Sequence, residues 1–282
     1  MKRLVSVCVA LCLAASSCTD QQAEEGDAAG SAPLAADGTQ APDGAAQPTR
    51  APSDAESPAG GARTVTEETD DFVFEYAYPV QAGAIPELAA LLDRRLERAR
   101  ASLTRQAAEG RAAARDNGFP YNKYSSGMEW RLVADLTGWL SLSGRFNSYT
   151  GGAHGIYGVE SMVWDKEAGR ALRAVDLFTS PQALSEALGD RFCEGLDRLR
   201  AERREEPVEG DEYGFNACPS VDELTVLVGS ENARTFNRMT LYAGPYVAGP
   251  YAEGAYEINL DVDEAVLAAV KTEYRDSFSA RR

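Results

Sequence analysis

One histidine, His154, stands among 282 residues, and that scarcity excludes a zinc centre built mainly on imidazole. Thiolates are scarce too. Of five cysteines, Cys8 and Cys12 fall in an apparent export signal and Cys18 follows it, so only Cys193 and Cys218 remain for the folded body. Basic residues are few: 28 Lys and Arg face 44 Asp and Glu, for a formal charge of −16. Nucleic acid, whose phosphates demand a basic patch, is therefore excluded as a partner. The apolar run Leu4–Ala15 is too short to span a bilayer permanently. No G-x-S-x-G elbow marks an activated serine, and no D-x-D-x-D-G loop marks a calcium site. The expectation is a protein with no cofactor, no metal and no assignable catalytic residue.

What is present begins with an address. Lys2-Arg3, the run Leu4–Ala15 and the small residues Ser16-Ser17 form an export signal over residues 1–17. Ala15-Ser16-Ser17-Cys18 resembles the lipobox of bacterial lipoproteins, which implies a diacylated thioether at Cys18 and membrane attachment through the acyl chains. Thr19, rather than an acidic residue, points to the periplasmic face of the outer membrane in a Gram-negative cell. Residues 18–63 are rich in Ala, Gly, Pro, Asp, Glu and Gln without apolar periodicity, the composition of a disordered acidic tether. Folding is expected from residue 64, as subdomains over 64–164 and 165–282 packed as one unit. In an oxidising compartment Cys193 and Cys218 read as a disulfide, with two buried thiols as the alternative.

The folded part reads as α+β: mostly antiparallel sheet with two amphipathic helices against it. Phe72–Tyr78 is a strand stopped by Pro79. From Pro86, Leu88, Leu92, Leu96 and Leu103 recur at helical spacing until Asn117-Gly118. The period then falls to two. Met128, Trp130, Leu132, Ala134 and Leu136 share one parity, and Leu140, Leu142 and Phe146 continue it after Thr137-Gly138. Gly158–Trp164 and Arg170–Val175 form a hairpin around Asp165–Gly169. Ser180-Pro181 opens a second helix through Leu199, and Arg200–Glu212 reads as a solvated helix end and loop. Leu224–Val228, Thr235–Tyr242 and Tyr256–Asp261 read as strands, with a short helix from Asp263.

Two segments carry the candidate site. In Ser148–Gly155 the pair Gly151-Gly152 signals an unusual backbone path beside Tyr149 and His154. Three roles stay open for His154: bonding backbone in a tight loop, touching a ligand, or catalysis beside a carboxylate. The acids Glu160, Asp165, Glu167 and Asp176 read as strand and turn residues, the alternative being a pair for glycoside chemistry. In the second segment Gly-Pro-Tyr occurs twice, at Gly244–Tyr246 and Gly249–Tyr251. Proline forces turns there, so Tyr246 and Tyr251 either form a binding surface near the Tyr149 loop or bury to hold the bend.

These segments, with Asp176-Leu177-Phe178, resemble the paired domains of unknown function shared by the lysozyme-binding anti-sigma factor RsiV and the accessory region of the peptidoglycan deacetylase PdaC. The resemblance covers roughly Val65 to Val270. It implies an extracytoplasmic binding domain, with Tyr149, Gly151, Gly152, His154, Tyr246 and Tyr251 as candidate ligand-binding residues. Neither sigma-factor signalling nor deacetylation carries over with it, because no segment read here corresponds to those functions. The expected partners are the membrane, through the lipid, and peptidoglycan or a cationic lysozyme-like protein. The alternative is a peptidoglycan hydrolase or deacetylase that uses His154 with a carboxylate.

Overall fold

Period-two alternation builds a first sheet whose two faces are both covered. The computed structural model describes residues 60–204 and 214–281; the export signal, Cys18, most of the tether and Glu205–Glu212 lie outside the described residues. The first half runs β1 (Arg63–Glu68), β2 (Phe72–Tyr78), α1 (Val80–Gly83), α2 (Pro86–Asp116), β3 (Tyr124–Asp135), β4 (Trp139–Tyr149), β5 (Ile156–Asp165) and β6 (Arg170–Leu172). The six strands lie side by side in chain order. All neighbours are antiparallel except β2 and β3, which α2 joins as a crossover.

Helix α2 starts with a proline in its first turn, where a fixed φ suits the helix and no N–H is needed. Leu88, Leu92, Leu96, Leu103 and Ala107 are its buried stripe, set against Phe74, Tyr76, Trp130, Leu140 and Trp164 of the sheet. Gly118 follows the C-cap with a φ of +71°, the left-handed stop that glycine tolerates.

The opposite face of the sheet receives the second half of the chain. After α3 (Pro181–Leu188) and α4 (Asp190–Arg203), strands β7 (Thr225–Gly229), β8 (Arg238–Ala243) and β9 (Tyr256–Asp261) form an antiparallel meander, closed by α5 (Glu264–Ala269). β7 lies across β3, β4 and β5, and Thr225 Oγ1 donates to Val159 O at 2.8 Å. α4 packs on β9, and α3 on α5. The result is α+β with mostly antiparallel sheets, as the sequence patterns require. Among the described residues no helix is long and apolar enough to cross a membrane.

Three local features differ from the sequence reading. Met128–Leu136 does not present one face, because a bulge between Leu132 and Ala134 rotates the strand. Trp130 therefore packs toward α2, while Ala134 and Leu136 join the core beneath the second sheet. β6 stops at Leu172 because Ala174–Leu177 coils into a 3₁₀ turn, tied by Ala174 N donating to Ser161 Oγ. The second amphipathic helix is two helices, broken at Gly189 with a φ of +54°. Ser180 caps the first of them, accepting from Ala183 N at 3.0 Å.

Candidate functional site

Strands β4 and β5 pair as far as Ser148 and Ile156, so the chain must reverse between those residues. Gly151 and Gly152 do this with φ of +90° and +96°, a region closed to most side chains. Gly155 is required for space instead: a Cβ there would stand 2.7 Å from Ser148 O. Tyr149 folds onto its own loop, with its hydroxyl donating to Gly152 O at 3.1 Å.

His154 is exposed, with both ring nitrogens engaged. Nδ1 lies 2.9 Å from Gly155 O. A carbonyl can only accept, so Nδ1 carries a proton, and in the neutral ring Nε2 keeps its lone pair. Nε2 lies 3.3 Å from the Tyr246 hydroxyl, which then donates to it. Among the described residues no carboxylate hydrogen-bonds this imidazole.

Tyr246 and Tyr251 come from the β8–β9 connection. Val247 N donates to Gly244 O and Tyr246 N to Gly249 O, each at 3.1 Å, a turn that holds Tyr246 at a φ of +69°. The Tyr251 ring stacks on His154 at 3.9 Å between centroids, and its hydroxyl donates to Gly155 O at 2.9 Å. Tyr246 lies 5.7 Å from Tyr251 on one side, and Tyr157 meets Tyr251 edge-on at 5.9 Å. Two motifs far apart in sequence thus form one aromatic cluster of His154, Tyr157, Tyr246 and Tyr251. Tyr149, Gly151 and Gly152 shape the adjoining turn, and among the described residues Tyr149 makes no ring contact with the cluster. The cluster faces outward: Tyr246 is 53% and Ile156 61% exposed.

What holds the tyrosine turn from behind is absent from the sequence reading. Arg200 belongs to the stretch read as a solvated helix end, yet it is 4% exposed. It donates to Ala248 O at 2.9 and 3.1 Å, to Ala217 O at 2.8 Å and to Asn216 O at 3.2 Å. Arg203 donates to Glu253 O and Ala255 O and sits 4.1 Å over the Tyr256 ring. Arg204 forks to both carboxylate oxygens of Glu253, at 2.8 and 2.9 Å. Cys193, also on α4, is bonded to Cys218, next to the carbonyls that Arg200 holds. The sequence shows only a charged run here: the burial of Arg200 and half-burial of Arg204 depend on a loop far down the chain, while Arg203 stays exposed.

The same clamp responds to acid. Burial pushes the Glu253 carboxyl up, but hydrogen bonds from Arg204 and Tyr256 outweigh it and hold the group below its ordinary 4.5. A carboxyl with a lowered folded pKa adds stability that is complete above the unfolded value and is lost as pH falls through the folded one. Acid titration of unfolding free energy should therefore show a loss beginning near pH 4.5 that Glu253→Gln reduces. An identical acid limb in that variant would refute the clamp.

The four acids raised for glycoside chemistry sit at β5 and the two turns after it. Glu160 pairs with Arg95. Asp165 accepts from the backbone of Glu167 and Ala168 in the turn, and Glu167 is exposed there. Asp176 is gripped by Arg173. Among the described residues no three His, Cys, Asp or Glu side chains gather as a metal ligand set.

Beside the aromatic cluster, with Tyr157 on the shared rim, an open groove of about 650 Å³ runs between the first sheet and the β8–β9 hairpin. Its walls include Glu75, Glu129, Arg145, Tyr242 and Glu257. Sequence reasoning placed these in strands and assigned none of them to a site, since each is an ordinary strand residue until the two sheets face one another.

Residues 65–157 match the protein family described as Deacetylase PdaC. The resemblance to the PdaC-type domain therefore holds over that stretch, which includes the Tyr149–His154 loop. Two solved structures are similar to the chain. One is a member of the DUF3298 family from Bacteroides fragilis, at 20% identity and a TM-score of 0.47, covering 71% of this chain and 88% of that one. The other is a DUF3298 family protein from Pseudomonas aeruginosa, at 17% identity and a TM-score of 0.44, covering 78% and 97%. No curated protein matches the chain.

Proposed function

We propose that this protein is a lipid-anchored binding protein of the cell envelope that works without catalysis. It recognises a cationic, lysozyme-like protein or a cell-wall component through the His154–Tyr246–Tyr251 cluster. The observation that carries the reading is Tyr246. A non-glycine residue at a φ of +69° costs about 1 kcal/mol, yet the turn is held in place from behind by Arg200 and Arg204. The strain presents a large exposed ring on a rigid support, the kind of residue that dominates recognition surfaces. An acidic chain attracts cations, and the anti-sigma factor that the motifs resemble senses lysozyme. Both nitrogens of His154 are engaged by Gly155 and Tyr246, which supports a positioning role over general-base chemistry.

Tyr246→Gly tests this reading because glycine removes strain and ring together. The variant should keep or gain stability, while capture on immobilised lysozyme or purified sacculi falls by about tenfold. Capture of the wild type should weaken as salt rises. No wild-type capture on either matrix at low salt, or undiminished capture by the variant, refutes the proposal.

The lipid on Cys18 and a place on the periplasmic face of the outer membrane belong to the same proposal, from the lipobox resemblance and Thr19. Cells fed labelled palmitate should label the wild type and leave Cys18→Ser unlabelled. An unlabelled wild type ends the anchor hypothesis.

A further inference from the structure

A single covalent bond stands behind the tyrosine turn, and solvent reaches one end of it. Cys193 is half-buried on α4 and packs against the core, whereas Cys218 is exposed. A dissolved thiolate can therefore reach the Cys218 sulfur, and access helps decide which sulfur is attacked in such an exchange. Asn216 and Ala217 are exposed as well, so this strip buries little that would hold it in place by itself.

Two arginines connect the strip to the turn. Arg200 donates to Asn216 O and Ala217 O on one side and to Ala248 O on the other. Arg204 donates to Asn216 Oδ1 at 2.8 Å and forks to Glu253. Ala248 and Glu253 flank Tyr251 in the β8–β9 connection, so each guanidinium spans both segments. A guanidinium as buried as that of Arg200, at 4% exposure, needs its acceptors. Once the strip swings away, it follows them or draws in water, and either movement takes a donor from Ala248 O.

We propose that the Cys193–Cys218 bond is a redox switch that controls how the turn presents Tyr246 and Tyr251. The reductant is a dithiol. Its thiolate attacks Cys218 Sγ, and Cys193 Sγ leaves with the electron pair and takes a proton. The second thiol then resolves the mixed disulfide, freeing the Cys218 thiol and closing the reductant into a cyclic disulfide, so that two electrons pass to the protein. Release of the strip unlocks the turn. The first sheet and α2 stay folded, because their core of Leu88, Trp130 and Trp164 is separate from the one that α4 joins. That the turn binds a partner rests on the reading above; the switch itself does not.

The lone histidine supplies the readout. Its ring stacks with Tyr251 at 3.9 Å between centroids, so the Cε1–H resonance of His154 in the full-length chain reports whether the stack is intact. Dithiothreitol should open the bond in the folded protein, as alkylation of both cysteines would verify. The resonance should then move most of the way to its position in Tyr251→Leu. Tryptophan fluorescence, with Trp130 and Trp164 2% and 3% exposed, should stay native. The paired variant Cys193→Ser with Cys218→Ser should show the moved resonance without reductant and no further change with it. Capture on lysozyme or sacculi should fall about tenfold on reduction. The proposal is overturned if the bond resists dithiothreitol, if the resonance stays put with the bond open, or if native fluorescence is lost with it. Capture by the oxidised protein that survives reduction undiminished overturns it too. A moved resonance in a protein that captures nothing in either state refutes the binding reading and leaves the switch standing.

Discussion

Arg200→Met should lower the unfolding free energy by about 3 kcal/mol, the largest effect expected from any single polar side chain here. Methionine fills much of the volume of the arginine stem but donates nothing. The carbonyls of Ala248, Ala217 and Asn216 then lose their donor at once, each at a penalty of about 1–3 kcal/mol if it stays dry. Some of that penalty is recovered because a buried guanidinium no longer needs desolvating and because the loop can open to water. Urea unfolding followed by tryptophan fluorescence measures the loss. Arg198→Met, at an exposed position on the same helix, should change stability by less than about 0.5 kcal/mol. If the two variants behave alike, Arg200 does not hold the tyrosine turn. If it does hold the turn, Arg200→Met should also reduce capture by the aromatic cluster.

Removing the disulfide is the second large effect. Cys193 and Cys218 are separated by 25 positions, and opening a loop of that size costs roughly 3 kcal/mol in the chain-entropy description. Cys218 adjoins Ala217 and Asn216, the carbonyls that Arg200 holds, so bond and guanidinium order the same strip of backbone. The paired serine variant, Cys193→Ser with Cys218→Ser, should destabilise by that amount. Combined with Arg200→Met, the losses should fall short of additivity by about 1 kcal/mol. Strict additivity would mean that the bond and the arginine stabilise separate parts of the fold.

The two replacements mark the boundary of what was legible. Cys193 and Cys218 were readable as a pair from their number and the export signal. Arg200 was not, since in the sequence it is one charge in a charged run. β1 was missed for a related reason: Arg63–Glu68 buries only Val65, so an edge strand with one core residue carries almost no alternation. The Leu132–Ala134 bulge left no trace in the alternating parity around it, and Gly189 was one glycine within an otherwise continuous helical period.

Taken alone, the sequence determined the features that depend on neighbours along the chain. These are the helical stripe of α2, the period-two strands, the Ser180 cap, the short helix after Asp263, the glycine turn at Gly151-Gly152 and the α+β class. Backbone geometry sets those periods within a few residues, so they survive in one dimension. Only the tertiary structure decided that His154 meets Tyr246 across 92 positions, that Arg200 is buried, and that strand residues such as Tyr242 and Glu75 face a common groove. Those meetings follow from how one sheet packs across the other, and the energy that selects that packing is spread over a core no short pattern encodes.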